Sequence, residues 1–503
     1  MKIKKNYKEI ILLFSTFLIS ISGLIYELLE GTISSYFLGD SIYQFSIIIG
    51  LFMSSMGLGS WASRFIEKEL IKYFIYLQLL IALFGGFGSL ILFFAFVVIK
   101  NYEAFLYFET ILLGIMIGME IPLIIRILKD YFPLNKNISN VFTADYIGAL
   151  FASILFPLIL LPNLGLIYSS LFLGSMNAFV AFLGWYFFKE ELPKRVKVYL
   201  SLVILALLGG FLSQKPFEAF LEHRLYQDPI IFSKQTPYQK IVITRKKERV
   251  RLYINGALQF DTLDEYRYHE MLIHPAMNLA KNHENILILG GGDGLALREI
   301  LKYKDVKKVT LVDLDKAITD IFRSNKLLKT INKNSLNNKK VKILNKDAWK
   351  FIENSKEIFD LIVVDLPDPN NISLSRLYSK KFYTMLKNHL SRSGVIVIQA
   401  TSPLFARDAF WSIKKTLAST KLKVTPYHVY IPSFGEWGFV LGSRINFFNF
   451  SALPKKLKFF TPEEFKKALL FPKDMQEVDV KENTIFNHLL LKYYQKGWEK
   501  WFE

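Results

Sequence analysis

The chain has 503 residues, a formal net charge of +19 at neutral pH, and a composition that is 51% hydrophobic and 15% aromatic. So large an apolar fraction is high for a soluble enzyme and indicates a membrane part. The absence of cysteine excludes thiol catalysis, thiolate-bound zinc and disulfide bonds. The lysines are scattered or flank apolar segments, so their charge favours lipid headgroups over nucleic acid as a partner.

Seven apolar segments occupy the first part of the chain, and most of them reach the ~20 residues that a bilayer-spanning helix needs. The stretch Tyr146–Phe188 carries no charge and must hold two of them, with a break near Pro162–Gly165. We therefore predict a multi-pass transmembrane domain of six or seven helices over residues 1–213. The segments lie at 10–29, 41–63, 73–99, 105–125, 143–161, 166–188 and 198–213.

The placement of basic residues predicts the orientation of this domain. The N-terminus and alternate loops are rich in Lys and Arg, whereas the opposite set of loops holds only Lys100. The positive-inside rule then places the N-terminus in the cytoplasm of a cell-membrane protein. Seven crossings would put the rest of the chain outside. However, the apolar run Val198–Ser213 is short for a span, and Gly209-Gly210 weakens its helix. We expect that it does not fully cross and that the remainder is cytoplasmic.

Four acids lie at membrane depth: Glu27, Glu109, Glu120 and Asp145. Carboxylates in this environment are costly, and they often serve a function such as binding a cation. The alternative is that each lies near a span end or pairs with a neighbour such as Arg126. The spacing of Gly114 and Gly118 predicts close helix packing, which explains both glycines without a further role.

A small β-unit is predicted next. Alternating runs at Gln239–Thr244 and Arg249–Ile254 lead to Asn255-Gly256, a strong signal for a type I′ turn, and then to Ala257–Phe260. With a short linking helix at Phe217–Arg224, they make residues 214–262 a linker and small antiparallel β-domain.

A glycine-rich motif then predicts a nucleotide-binding sheet. The apolar run from Ile286 stops at three glycines, a helical segment follows, and a second run ends in Asp313. This strand–turn–helix–strand–acid order opens a doubly wound fold, in which the acid accepts hydrogen bonds from the ribose hydroxyls. Asp293 occupies a position where a phosphate-binding loop would avoid an anion. We therefore favour an adenosine ligand with positive charge, such as a sulfonium, over NAD.

Later strands also end in acids. Val341–Leu344 leads to Asp347, and Phe359–Val364 leads to Asp365. Because the carboxyl ends of parallel strands share one edge, we expect these two acids beside Asp293 and Asp313. The predicted fold class is a membrane α-helical bundle followed by α/β, with a Rossmann-like, S-adenosylmethionine-methyltransferase-like domain over residues 263–450. We expect residues 451–503 to be a helical packing appendage, opened by a capping box at Thr461, without chemistry of its own.

At these positions the chain resembles the spermidine synthases, or polyamine aminopropyltransferases, in a membrane-anchored form. The similarity runs in the family's order over roughly residues 230–445. It rests on Tyr238-Gln239, Leu252–Gln259, Asp264–Met271, Gly290–Glu299, Val312–Asp315, Asp347-Ala348 and Asp365–Pro369.

The resemblance implies transfer of the aminopropyl group of decarboxylated S-adenosylmethionine to putrescine, giving spermidine and methylthioadenosine. The donor is a co-substrate, and neither a cofactor nor a metal is expected. For the donor, the resemblance implies ribose binding by Asp313, an adenine-side contact by Asp347 with Ala348 lining the base, a thioadenosyl contact by Gln239, and binding of the aminopropyl ammonium by Asp293. For the acceptor, it implies that Tyr268 and His269 line the junction of the two substrates, that Asp365 accepts the proton and that Asp368 contacts the polyamine.

The chemistry of the residues supports this interpretation. An amine with a pKa of about 10 is protonated at neutral pH, and a carboxylate at its nitrogen binds the cation and takes up the proton. This chain departs from the family pattern at Asp313, where most relatives have Glu, at Leu366-Pro367 and at Asn370-Asn371. The last two lie on the polyamine side, so the acceptor is the less certain substrate.

Two alternatives stay open at this point. One is a methyltransferase that uses S-adenosylmethionine itself, which Asp293 disfavours because the methionine carboxylate would lie near it. The other is a membrane polyamine transporter or sensor whose soluble domain only binds. For the enzyme we also expect a homo-oligomer, a dimer or larger.

Overall fold

The computed structural model describes residues 2–38, 41–129, 131, 133–226, 228–444, 450 and 453–502. The chain divides into two compact units, Met1–Ile230 and Ile231–Glu503. The first unit is helical, and the second carries two β-sheets with helices.

The helical unit contains long, apolar helices. By length and composition, six segments of the described chain suffice to cross a membrane; one combines α4 with α5 and another α6 with α7. The helices are α1 (Lys2–Leu38), α2 (Ser41–Ala62), α3 (Leu70–Val98), α4 (Tyr102–Gly118), α5 (Glu120–Leu128), α6 (Leu134–Leu155), α7 (Leu161–Phe188) and α8 (Arg195–Leu225).

The predicted break near Pro162–Gly165 is confirmed. Between α6 and α7 the chain passes through a π-helical turn, Phe156–Leu160. Gly165 then leaves helical geometry altogether, with φ 69° and ψ −169°. A left-handed φ of this kind is readily adopted only by glycine, which explains the residue at this kink.

The predicted linking helix Phe217–Arg224 is wrong as a separate element, because α8 continues through it to Leu225. Gly209 and Gly210 do not end the helix either. A Cβ atom at Gly210 would lie 2.9 Å from side-chain carbons of Leu171 and Phe87. The absence of a side chain therefore lets α8 pack closely against α7 and α3, and this packing stabilises a helix that propensity alone would weaken.

The predicted role of Gly114 and Gly118 in packing is confirmed. A Cβ atom at Gly118 would overlap the carbonyl oxygen of Met56, and one at Gly114 would lie 2.8 Å from the Cβ of Ser55. On α2, Gly59 likewise leaves no room for a Cβ atom beside α4. The small residues thus allow the two helix backbones to come into contact.

The smaller sheet of the second unit has four strands in the order β1-β2-β3-β4, and the pairs β2–β3 and β3–β4 are antiparallel. Asn255 and Gly256 have φ of 49° and 81°, which confirms the predicted turn with two left-handed residues. The sequence analysis missed β1. The strands are β1 (Ile230–Gln235), β2 (Lys240–Lys246), β3 (Arg249–Ile254) and β4 (Ala257–Asp261).

The larger sheet has seven strands in the order β10-β11-β9-β8-β5-β6-β7. Strands β5 to β9 are parallel to one another, and β11 is antiparallel to both β9 and β10. This confirms the predicted mostly parallel sheet. The strands are β5 (Asn285–Gly290), β6 (Lys308–Asp313), β7 (Val341–Asn345), β8 (Phe359–Asp365), β9 (Leu390–Gln399), β10 (Lys423–Ile431) and β11 (Gly435–Ser443).

Helices cover both faces of this sheet, as its sequence requires. In β5, Ile286 and Ile288 belong to one hydrophobic cluster, whereas Leu287 and Leu289 belong to another. A strand that is apolar on both faces is typical of a buried parallel sheet. The helices are α9 (Glu265–Leu279), α10 (Leu295–Ile300), α11 (Lys316–Ser324), α12 (Lys326–Ile331), α13 (Ala348–Asn354), α14 (Ile372–Ser375), α15 (Lys380–Asn388), α16 (Arg407–Ala418), α17 (Pro462–Ala468) and α18 (Leu489–Phe502). The predicted cap at Thr461 is confirmed, because its side chain accepts a hydrogen bond from Glu464 N.

Candidate active site

The glycine-rich loop after β5 packs directly against the end of β8. Gly290 and Gly291 have φ of 84° and 62°. A Cβ atom at Gly290 would overlap the carbonyl oxygen of Asp365, and Gly291 N donates to that oxygen at 3.2 Å. The glycines therefore let the loop approach the strand that carries Asp365.

Asp313 ends β6 with its carboxylate against the same loop. Oδ2 accepts a hydrogen bond from Gly292 N at 3.1 Å, and Oδ1 accepts one from Asp315 N at 2.9 Å. Burial raises the pKa of Asp313 to about 6. The position matches the one predicted for an acid that binds a ribose diol.

Gln239 lies in the turn between β1 and β2, and this turn is tied to the segment that follows Asp313. Thr236 Oγ1 donates to Asp315 Oδ2 at 2.7 Å and accepts from Gln239 N at 3.0 Å. The smaller sheet thus supplies Gln239 at a position close to Asp313 in the larger one. Sequence analysis missed the contact between Thr236 and Asp315, because Asp315 lies in a recognised segment, Val312–Asp315, whereas Thr236 belongs to no local motif.

Asp347 follows β7 and caps α13. Its Oδ1 accepts a hydrogen bond from Lys350 N at 2.9 Å, and its Oδ2 accepts one from Arg376 Nη2 at 2.7 Å. Ala348, the first residue of α13, is buried. The carboxylate is therefore fixed by a helix end and by Arg376, a partner that lies far from it in the sequence.

Asp293 precedes Gly294, the N-cap of α10, and its Oδ1 accepts a hydrogen bond from Leu295 N at 2.8 Å. Burial raises the pKa of the Asp293 carboxyl, while the charge of nearby His269 acts in the opposite direction. Asn332 fixes this loop, because its Nδ2 donates a hydrogen bond to the Asp293 carbonyl oxygen at 2.9 Å. Asp293 therefore lies in the glycine-rich loop, near His269 of α9.

His269 is fixed by a buried ion pair. Its Nδ1 lies 2.9 Å from Glu265 Oε2, and Arg298 donates two hydrogen bonds of 2.8 Å to the same carboxylate. Burial lowers the pKa of His269, but the hydrogen bond and charge of Glu265 outweigh it and raise the pKa overall. Asp293 and Asp365 lie within electrostatic range of His269 and favour its protonated form. The ring is therefore held in one orientation near these two acids.

Tyr268 and Asp365 are directly bonded. The Tyr268 hydroxyl donates to Asp365 Oδ1 at 2.6 Å. Burial raises the pKa of Asp365 to about 6, and Asp293 adds to this, while His269 and Tyr268 oppose it. A carboxylate with a pKa just below neutral is ionised at neutral pH and still able to accept a proton, as a general base must.

Asp368 is held by three side chains, two of them at and just after the end of β9 and the third from α18. Its oxygens accept hydrogen bonds from Gln399 Nε2 at 3.2 Å and Thr401 Oγ1 at 3.1 Å, and the Tyr494 hydroxyl bonds to it as well. Burial raises the pKa of Asp368 to about 6. Tyr494 belongs to α18, so residues 451–503, predicted to be a packing appendage, supply a side chain that bonds to this acid. Packing of α18 against α16 brings this tyrosine to the acid.

Comparison with known proteins decides the family. Residues 265–450 match the model of the spermine/spermidine synthase domain. A polyamine aminopropyltransferase of Leptospira interrogans is 46% identical over 97% of this chain and 99% of its own length. A polyamine aminopropyltransferase of Oceanobacillus iheyensis is 39% identical over 98% of both chains. The chain belongs to the polyamine aminopropyltransferase family.

Solved structures of spermidine synthases are also similar to part of this aminopropyltransferase. One is a complex with the transition-state analogue AdoDATO, with 24% identity, 49% coverage of this chain, 88% coverage of that chain and a TM-score of 0.46. The spermidine synthase of Thermotoga maritima has a TM-score of 0.45 at 24% identity, covering 49% of this chain and 87% of that chain. The curated relatives, by contrast, match nearly the whole aminopropyltransferase chain, its helical unit included.

The unusual Leu366-Pro367 of this aminopropyltransferase is held rigidly. The Tyr378 hydroxyl lies within hydrogen-bonding distance of both carbonyl oxygens, and Gln399 Nε2 donates to the Leu366 carbonyl at 2.6 Å. The backbone between Asp365 and Asp368 therefore has little freedom, and the two acids keep a fixed separation. The departure from the family pattern changes the side chains but leaves the loop well anchored.

The Tyr494→Phe variant of the aminopropyltransferase is expected to raise the KM for the amine acceptor by about 3- to 10-fold, which is the typical net worth of one hydrogen bond. The reason is that Asp368 loses a hydrogen-bond donor that fixes its orientation, while the binding site of the aminopropyl donor is unchanged. Initial rates at varied amine and at varied donor concentration measure the effect. Tyr493→Phe is the control, since its hydroxyl bonds to Lys481 N and not to an acid of the site. Equal effects of both variants would contradict a specific role for Tyr494.

Proposed function

We propose that the enzyme transfers the aminopropyl group of decarboxylated S-adenosylmethionine to putrescine, releasing spermidine and methylthioadenosine. The observation that carries this proposal is the set of partly buried acids at the carboxyl edge of the sheet, with Tyr268 bonded to the central one, Asp365. Asp365 and Asp368 lie three residues apart, each with its pKa raised to about 6 by burial. Anions so placed suit a substrate that carries more than one ammonium group.

The donor side of the proposal rests on the acids that follow β5, β6 and β7. Asp313, beside the glycine loop, accepts hydrogen bonds from the ribose hydroxyls, and Asp347 and Ala348 contact the base. Gln239, from the turn tied to Asp315, contacts the thioadenosyl group. Asp293 binds the ammonium of the aminopropyl group. A donor without a carboxylate suits this arrangement, because a methionine carboxylate would lie near the Asp293 anion.

The reaction is a direct displacement. The amine nitrogen of putrescine attacks the aminopropyl carbon next to the sulfonium, a C–N bond forms, the C–S bond breaks, and methylthioadenosine leaves with the bonding electron pair. Asp365 accepts the proton that the nitrogen loses. The Tyr268 hydroxyl holds Asp365 in place, and its hydrogen bond and the charge of nearby His269 both favour the ionised carboxylate. Alignment of the two substrates supplies much of the remaining rate enhancement.

One assay separates this activity from its rivals. Purified enzyme is incubated with decarboxylated S-adenosylmethionine and putrescine, and spermidine and methylthioadenosine are quantified. Equal yields of both products support the proposal. Methylation of an acceptor by S-adenosylmethionine would instead indicate a methyltransferase, and binding of amines without turnover would indicate a transporter or sensor. Replacing putrescine by spermidine or longer diamines in the same assay identifies the acceptor.

Asp293→Asn is expected to reduce the preference for the decarboxylated donor by about 10-fold or more, because an ammonium loses a charged partner, commonly about 1.5–3 kcal/mol. S-adenosylmethionine should bind as well as before or better, since repulsion of its carboxylate is relieved. Competition binding of the two nucleotides to parent and variant measures the ratio. The Asn amide oxygen can still accept the hydrogen bond from Leu295 N, so the turn before α10 is preserved. An unchanged ratio would show that Asp293 serves only the turn.

We also propose that the protein is a multi-pass membrane protein, with its N-terminus and catalytic domain in the cytoplasm. The apolar helices of the first unit support this, as does their surface, where large side chains such as Leu158 and Leu212 are 68% and 83% exposed. Such apolar surface in contact with water would favour aggregation, and a bilayer covers it. Assembly into a dimer or larger oligomer stays a prediction.

Topology reporters test the sidedness. Fusions that end after Arg195 and after Gln214 should both report cytoplasm, because we expect the short apolar run Val198–Ser213 not to cross. A phosphatase reporter that is active only outside, paired with a fluorescent one active only inside, gives a positive signal in either case. Opposite reports would establish that α8 crosses, and would place the catalytic domain outside.

A further inference from the structure

Three carboxylates are buried inside the helical unit. Glu30, Glu109 and Glu120 are 2%, 8% and 2% exposed. Among the described residues no Lys, Arg or His forms an ion pair with any of them. Each lies within an apolar segment long enough to span a membrane. An unpaired carboxylate destabilises a protein in such surroundings, and carboxylates that are found there often bind a cation.

The first part of this arrangement joins α1 to α4. The carboxyl groups of Glu30 and Glu109 lie close enough for a hydrogen bond, which one of them can donate only while it is protonated. The buried hydroxyls of Tyr26 and Tyr102 have no hydrogen-bond partner in the described structure, and both lie within electrostatic range of Glu109. A bound ammonium group would take the place of that proton and would donate hydrogen bonds to the unpartnered hydroxyl oxygens.

Helix α3 leaves room for these polar groups. A Cβ atom at Gly88 would lie 2.7 Å from Glu109 Oε1, and one at Gly85 would lie 2.8 Å from the Tyr26 hydroxyl. Larger residues at either position would displace the carboxylate or the phenol. Glycines at these two positions therefore admit the polar side chains, in addition to allowing the helices to pack closely.

The second part joins α5, α3 and α7. Gln78 Nε2 donates to Glu120 Oε1, and Asn177 Nδ2 donates to Gln78 Oε1 at 3.0 Å. Tyr26 lies within electrostatic range of both Glu120 and Glu109, and so connects the two parts. Glu109 and Glu120 are 11 positions apart on consecutive helices, which corresponds to roughly 16 Å at 1.5 Å per residue. Two carboxyl stations thus lie along the bundle, with apolar residues between and around them.

We propose that this line of polar residues, from Glu30 and Glu109 through Tyr26 to Glu120, binds a linear polyamine. The inference rests on the proposed function, because that function makes such a cation the substrate or product of the same chain. A polyamine carries ammonium groups separated by methylene segments, so its charges match separated carboxylates and its methylenes match the apolar surroundings. The Tyr26 and Tyr102 rings are suitable neighbours for ammonium groups. A single metal ion would neutralise only one of the two stations.

Binding of labelled spermidine to the full chain in lipid nanodiscs tests the proposal. The background is the double variant Asp365→Asn and Asp368→Asn, which weakens amine binding at the catalytic site. In this background we expect saturable binding that approaches one spermidine per chain. Glu109→Gln should weaken it at least 10-fold. Glu103→Gln, at an exposed carboxylate on the same helix that accepts from the Tyr107 hydroxyl, should leave it unchanged.

Several outcomes would overturn the proposal: no saturable binding in the background variant, equal binding after Glu109→Gln, or Glu109-dependent binding of sodium with none of spermidine. Size-exclusion elution and the melting temperature show whether Glu109→Gln is folded, and Glu30→Gln gives a second variant at the same station. The turnover assay on the parent stands apart from these measurements. An enzyme that turns over putrescine but fails the binding test would retain the proposed function and lose only this inference.

Discussion

The Asp365→Asn variant is expected to lose about 10²- to 10⁴-fold in kcat, because loss of a general base typically has this effect. The asparagine keeps the shape of the side chain and can still accept the Tyr268 hydroxyl, so donor binding should persist. It cannot take up the proton that the attacking amine must lose. Single-turnover formation of spermidine, with donor binding measured separately, gives both quantities.

Thermal unfolding and the pH profile serve as controls for this variant. Burial raises the pKa of Asp365 to about 6, so the folded parent holds a proton more tightly than the unfolded chain. The ionised carboxylate therefore destabilises the parent above about pH 6, and the neutral Asn should unfold at the same or a higher temperature. Parent activity should fall as the pH drops through about 6, where Asp313, Asp365 and Asp368 become protonated. Turnover by the variant within a few-fold of the parent would require a different base.

The Gly290→Ala variant is expected to lose at least about 10²-fold in kcat/KM, a loss that a displacement of about 1 Å in an active site can cause. Gly290 has φ 84°, and a Cβ atom there would overlap the Asp365 carbonyl oxygen. The new methyl group must push the end of β8, with Asp365, away from the glycine loop. Steady-state kinetics and the melting temperature measure the two consequences together.

Gly256→Ala is a matched control for this substitution. Gly256 has nearly the same conformation, φ 81°, but a Cβ atom there meets nothing within 4 Å. Both variants incur the cost of a left-handed alanine, roughly 1–2 kcal/mol, and only Gly290→Ala adds the collision. Similar losses of activity in both variants would mean that backbone strain, and not the contact with Asp365, explains the effect.

The sequence predicted the site wherever chemistry coincides with a local pattern. Asp313 and Asp365 each end an apolar run that forms a buried strand, whereas Asp347 follows the partly exposed edge strand β7. The parallel order of those strands brings the acids to one edge. The same reasoning located Asp293, because a glycine turn fixes the position of the next side chain. Local pattern and global fold agree at these positions, as they do in most well-folded sequences.

The partners of these acids could not be predicted in this way. Arg376 reaches Asp347, Thr236 reaches Asp315 and Tyr494 reaches Asp368 only through tertiary packing. Nothing in the residues around them distinguishes these three from ordinary surface or core positions. The continuity of helix α8 could not be predicted for the same reason. Gly209-Gly210 lowers the local helix propensity, but close packing at Gly210 against α3 and α7 stabilises the helix.

The contact between Tyr494 and Asp368 has a consequence for the order in which the enzyme becomes competent. Chains emerge from the ribosome N-terminal end first, so the helices of the first unit and the acids of the sheet are synthesised well before α18. The proposed amine subsite is therefore completed among the last steps of synthesis, after the helical unit has been made. A nascent or C-terminally clipped chain would hold the donor residues without the finished amine subsite. For the same reason, a catalytic fragment that begins at Ile231 should extend through Phe502, and a purification tag is better attached at its N-terminal end.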